Sequence, residues 1–161
     1  VNAIYNTMKK FSNFYNANSL RERITDGTPA RDIMICGFDN MEARKTFYRV
    51  WKTHVRCSDN KDKCLFIDGR LAAEEFQVFA IKGDDERAMG IYEEEWLFND
   101  SEAEETLCSY KQTTFMANMI GSVMVNLFVN FVANECDPVF PRDVPFLTTY
   151  NASTMYFKVE M

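Results

Sequence analysis

Apolar residues return every three or four positions near the start of the chain, at Val1, Ile4, Tyr5, Met8, Phe11 and Tyr15. That spacing predicts an amphipathic helix with one apolar stripe. Asn16 to Ser19 breaks the pattern as a turn, Leu20 to Thr25 reads as a short strand, and Asp26-Gly27-Thr28-Pro29 signals a loop. Asp32 to Phe38 holds a continuous apolar run, Ile33-Met34-Ile35-Cys36, ended by Gly37. An unbroken run of that length suits a strand buried on both faces of a parallel sheet. From Asn40 to Val55 the pattern becomes helical, with Ala43, Phe47, Val50 and Trp51 on the inner face. A polar loop after Cys57 leads to a second apolar run, Cys64 to Ile67, closed by Asp68-Gly69. Strand, helix, strand in this order predicts a parallel pair joined by a right-handed crossover.

Beyond Gly69 the pattern changes. Phe76 to Ile81 reads as a strand too near its predecessor for a helical crossover, so it is expected to run antiparallel. Ile91-Tyr92 and Trp96-Leu97-Phe98 predict a further strand or a bulged hairpin. A long helix is expected from Thr113 to Asn134, then a closing hairpin of Val144–Tyr150 and Thr154–Val159 joined by Asn151-Ala152-Ser153. The expected fold is α/β, a Rossmann-like three-layer mixed sheet of parallel strands, antiparallel additions and a C-terminal hairpin. It forms a single domain over residues 1–161. Because the helical stripe begins at Val1, which is not a methionine, the fold is expected to be incomplete at its N-terminus, as in a fragment or processed chain.

Residues 113–134 carry no charged side chain, which raises the question of a membrane span. Thr114, Asn118, Ser122, Asn126 and Asn130 form a polar row at four-residue spacing. Asparagines are costly in hydrocarbon, and no basic flanks orient the segment. The expectation is therefore a helix buried in a core or in an interface between subunits, and no membrane partner.

Composition narrows the function classes. The chain is 47% hydrophobic and 14% aromatic, which suits a folded domain rather than a disordered one. Its net charge is -6, and ten acids between Asp84 and Glu105 face only Arg87. Non-specific nucleic-acid binding is not expected on that balance. Five cysteines, an odd number, include no Cys-x-x-Cys pair, as expected of reduced thiols in the cytoplasm. His54, Cys57 and Cys64 lie near one another, but the six residues between the two cysteines are not a zinc-knuckle spacing. They read as loop thiols.

Two clusters carry candidate chemistry. Asp39-Asn40 follows the first apolar run directly, with Ala43-Arg44 three residues on. This puts Asp39 at a strand's carboxyl end, where open α/β sheets bind ligands. The plainer alternative makes Asp39 and Glu42 a capping-box-like pair that starts the helix, with Arg44 a solvated charge. Asp68-Gly69-Arg70 falls on the same edge and reads as a turn with a surface ion pair. Cys108-Ser109 stands just before the long helix. A helix N-terminus and Lys111 would favour its thiolate, while Glu102, Glu104 and Glu105 would oppose it. An incidental thiol is the alternative.

The spelling Asp39-Asn40-x-x-Ala43-Arg44, followed by Cys108-Ser109 ahead of a long apolar helix, resembles the ThiF/MoeB/HesA family, which includes ubiquitin-activating enzymes. The resemblance covers nearly the whole chain and matches the later half of such a domain. It implies an ATP-dependent enzyme that adenylates the C-terminus of a ubiquitin-like or sulfur-carrier protein. In it Asp39, Asn40 and Arg44 bind the nucleotide, Asp39 holds magnesium with ATP, and Cys108 accepts the acyl group or sulfur. A homodimer, or pairing with a chain that carries the phosphate loop, is implied as well. The sequence departs from the family in having no Gly-x-Gly-x-x-Gly and no paired zinc cysteines. That departure implies either an upstream half on another piece of chain or a non-catalytic relative kept for dimerisation.

Overall fold

The computed structural model describes residues 2–11, 18, 20–99, 113–137 and 139–161. Within these, five strands form one mixed sheet in the order β1-β2-β3-β4-β5. The strands are β1 (Ile33–Cys36), β2 (Leu65–Ala72), β3 (Glu75–Lys82), β4 (Leu147–Asn151) and β5 (Tyr156–Glu160). The helices are α1 (Asn2–Phe11), α2 (Met41–Cys57), α3 (Glu86–Ile91) and α4 (Thr114–Cys136). β1 and β2 pair in parallel with Cys36 opposite Asp68, and every later pair is antiparallel. The β2–β3 hairpin turns on Ala73-Glu74 alone, with Ala73 in the left-handed region at φ 38°.

Side-chain alternation along β2 and β3 divides the core in two. Phe66, Phe79 and Ile81 face α2 and α3, where they meet Tyr48, Trp51, Val55, Met89 and Tyr92. Leu65, Ile67, Phe76, Val78 and Ala80 face the other way, onto Met116, Ile120, Leu127 and Phe131 of α4. Gly69 lets α4 approach closely: a Cβ there would stand 2.5 Å from Met124 Sδ and 3.3 Å from Ile120 Cδ1.

α4 is long and apolar enough to cross a membrane by length and composition, with a mean hydropathy of 1.6 over its most apolar window and 22% of that window buried. Its buried residues mark one face, against the sheet, while Phe115, Val125 and Val129 are exposed. Asn130, the last member of the expected polar row, has a structural use together with Asn134 one turn on. Asn130 and Asn134 donate to the carbonyls of Asp143 and Arg142, each at 2.9 Å, and so tie down the return to β4.

Three expectations are corrected. Leu20 to Thr25 is irregular, since its mostly polar side chains lie against solvent and bring no strand pairing. Ile91 to Phe98 is not a strand: α3 runs on into a π-helical turn, Tyr92–Trp96. The four-residue step from Tyr92 to Trp96 turns both rings onto Phe79, with centroids 5.3 and 4.8 Å away. Asp68-Gly69-Arg70 is not a turn either, because β2 continues to Ala72.

Candidate functional site

β1 ends at Cys36, and Gly37 to Asn40 carry the chain over the sheet's edge into α2. Asn40, not Asp39, caps that helix: its Oδ1 accepts from Ala43 N at 2.8 Å. The capping-box alternative is therefore corrected. An amide at the first non-helical position satisfies the donor that Asp39 was expected to hold. Asp39 is exposed, and Asn40 Nδ2 donates to its Oδ1 at 3.1 Å.

Arg44 is the second correction. It lies one helical turn past the cap, on the buried face of α2, and its guanidinium donates to Asp68 and to the carbonyl of Phe38. It is an internal charge rather than a solvated one. Asp68 is fully buried and is the hub of the edge. Arg70 Nε and Tyr92 OH donate to its Oδ2 at 2.8 and 2.9 Å. Arg70 also donates to the carbonyl of Trp96 at 3.0 Å, and its guanidinium carbon sits 4.7 Å above the Phe79 ring. The ion pair expected at the surface is thus buried.

Burying charge is costly unless each group is paired and hydrogen-bonded. Here one carboxylate serves two guanidiniums, so the hub carries one excess positive charge. Burial pushes the Tyr92 hydroxyl well above its ordinary range, and Asp68 adds to the shift. Burial works against the charge on Arg70, but Asp68 and Tyr92 outweigh it and hold the guanidinium pKa up. Cys36, across from Asp68 in the register, is pushed up to about 12, first by burial and then by the Asp68 charge. Its thiol is a core group, not a nucleophile.

The predicted site residues are therefore partly assembled. Asp39 and Asn40 stand together at the carboxyl edge, and Arg44 lies beneath them, fastened to the Phe38 carbonyl just before Asp39. Cys108 lies outside the described residues. Beside the edge runs an open groove of about 920 Å³ between residues 20–26 and the start of α2. Phe38 and Asn40, the neighbours of Asp39, line it, as do Arg23, Thr46 and Arg49, while the Asp39 side chain does not. Sequence reasoning missed Tyr92 as a partner of this edge. Its only signal was the four-residue step to Trp96 beyond Asp85, which accepts from Ala88 N and caps α3.

An exposed carboxylate that meets a single amide among the described residues can take a hard cation on its other oxygen. The hub beneath it sets one excess positive charge against the Asp39 carboxylate, while the groove alongside carries Glu22, Asp26 and Glu42 against Arg23 and Arg49. Searches against protein-family models and against curated proteins found no match for this chain.

Proposed function

We propose that the chain is the later portion of an ATP-dependent activating domain of the ThiF/MoeB/HesA type, acting on the C-terminus of a ubiquitin-like or sulfur-carrier protein. The observation that carries this reading is Asp39, exposed at the carboxyl end of a parallel strand and relieved of capping duty by Asn40. The Arg44–Asp68–Arg70 hub supports it by fixing the loop and leaving positive charge beneath it. Helices on both sides of a sheet with a parallel pair are what a Rossmann-like three-layer fold would have.

In this reading a carrier carboxylate oxygen attacks the α-phosphorus of ATP, and pyrophosphate leaves. Asp39 would hold a magnesium ion, whose charge would offset that of the phosphates. Arg44 keeps Asp39 in place through the Phe38 carbonyl, and Cys108 then takes the acyl group as AMP departs. The residues that cradle the phosphates would come from outside this sequence. Ile35 is 49% exposed on β1, and that strand's outer side is unpaired among the described residues. Parallel strands are ordinarily covered on both faces, so the open side of β1 suits further chain of this kind. The setting would be cytoplasmic.

ATP–pyrophosphate exchange by the full-length protein with its carrier tests this. Asp39→Ala is expected to lower exchange roughly a hundredfold, the scale of losing one charge-stabilising group. Undiminished exchange would remove Asp39 from the chemistry. A second reading, a non-catalytic dimerisation subunit, is favoured by the outer face of α4, which exposes Phe115, Val125 and Val129 and carries no charge before Glu135. Sedimentation should then give a dimer that Val125→Glu dissociates, with no magnesium-dependent ATP binding by calorimetry.

A further inference from the structure

At the opposite, amino-terminal edge of the parallel pair, three ligand-type side chains from separate elements converge. Asp32 immediately precedes β1, Cys64 immediately precedes β2, and His54 lies in the last turn of α2. Their ligand atoms all lie within 4.8 Å of one another. His54 Nε2 is 2.7 Å from Asp32 Oδ1, and Cys64 Sγ is 4.0 Å from that same oxygen. Cys57, the thiol nearest His54 in sequence, is not part of the group.

The backbone under these groups is pinned. The Asp32 carbonyl accepts from Leu65 N at 2.9 Å and from Trp51 Nε1 at 3.0 Å. Cys64 N donates to the Lys61 carbonyl at 3.0 Å, and the Cys64 carbonyl accepts from Gly83 N at 2.8 Å. Gly83 permits this approach, since a Cβ there would stand 2.5 Å from the Lys61 carbonyl oxygen and 2.7 Å from Cys64 Cβ.

We propose that Asp32, His54 and Cys64 form a binding site for one zinc-class divalent cation, separate from the Asp39 edge. Thiolate, imidazole and carboxylate together are the donor set of zinc rather than of magnesium or calcium. With bonds of about 2.0–2.3 Å in a tetrahedron, ligand atoms stand roughly 3.5 Å apart. The oxygen–sulfur separation is already near that value. The oxygen–nitrogen pair must open by less than about 1 Å, which rotation of Asp32, with a side chain 63% exposed, can supply. His54 is 34% exposed, so a cation can enter from solvent. The fourth position falls to water or to the Asn60 carbonyl, 3.6 Å from Cys64 Sγ. Bound there, the cation joins the end of α2 to the starts of both parallel strands.

The test is titration of the chelator-treated protein with Zn²⁺ by calorimetry and with Co²⁺ by absorbance. One equivalent should bind, and cobalt should show a thiolate charge-transfer band that persists in Cys57→Ser and disappears in Cys64→Ser. His54→Ala, a substitution at a partly exposed position, should weaken Zn²⁺ binding by more than the roughly tenfold that losing even a ligand's hydrogen-bond partner costs. Absence of the band in the unsubstituted protein would overturn the site without reference to any variant. So would a band that vanishes in Cys57→Ser, or an affinity unchanged by His54→Ala.

Discussion

Asp39 and Asn40 are neighbours with opposite duties. Asn40 holds the first turn of α2, while Asp39 is exposed and, among the described residues, accepts from the amide beside it. Asn40→Ala is expected to lower stability by about 1 kcal/mol, as for other lost caps. Asp39→Ala should leave it within about 0.5 kcal/mol, as for an exposed site. Urea denaturation of the two variants measures both. A large loss for Asp39→Ala would return it to a purely structural role. The sequence already showed that one of these residues begins the helix, but not which one. Asp and Asn are nearly equal as caps, and the backbone angles before the first turn decide between them. Arg44 was illegible for another reason. Its partner Asp68 lies 24 residues away, so its burial depends on a strand pairing that local pattern does not encode.

At the scale of elements, Asp68 joins three of them: α2 through Arg44, the rest of β2 through Arg70, and the π-helical turn through Tyr92. Tyr92→Phe keeps the ring packing and removes one donor from a buried carboxylate. The expected cost is about 1–3 kcal/mol, read from thermal or urea unfolding, and no measurable loss would mean that Arg70 alone satisfies that oxygen. The strand–helix–strand unit, the β2–β3 hairpin, the long helix and the closing hairpin were all legible, because each has an uninterrupted period. α2 extends to Cys57 and α4 to Cys136, each two residues past its expected end. The stretch from Ile91 to Phe98 was misread because short apolar pairs fit either period. Only packing on Phe79 resolves them.

For the molecule as a whole, ionisation of the buried core sets an upper pH limit. Burial raises Cys36 from the ordinary 9.0 to about 12 and raises the Tyr48 and Tyr92 hydroxyls. The folded chain keeps these protons where the unfolded chain sheds them. The contribution is complete below the unfolded values and is lost as pH climbs toward the folded ones. Urea midpoints should fall between about pH 8 and about pH 10, and Cys36→Ala should shallow the fall. A midpoint that rises over this range would contradict the assignment. In the sequence Cys36 belongs visibly to an apolar strand. Its position across from a buried carboxylate needed the register. His54 and Cys64 were noticed together, yet Asp32, 22 residues before His54, joins them only once α2 folds back over β1.

β5 is the outermost strand, exposed along its whole length, with Tyr156, Phe157 and Val159 open to solvent. Its far side offers backbone donors and acceptors that no described strand takes, and such an edge can template the addition of another chain. Lys158 and Glu160 are the only charges on it. Neutralising that pair is expected to turn a clear concentrated solution cloudy, by end-to-end growth from the last hairpin rather than by unfolding.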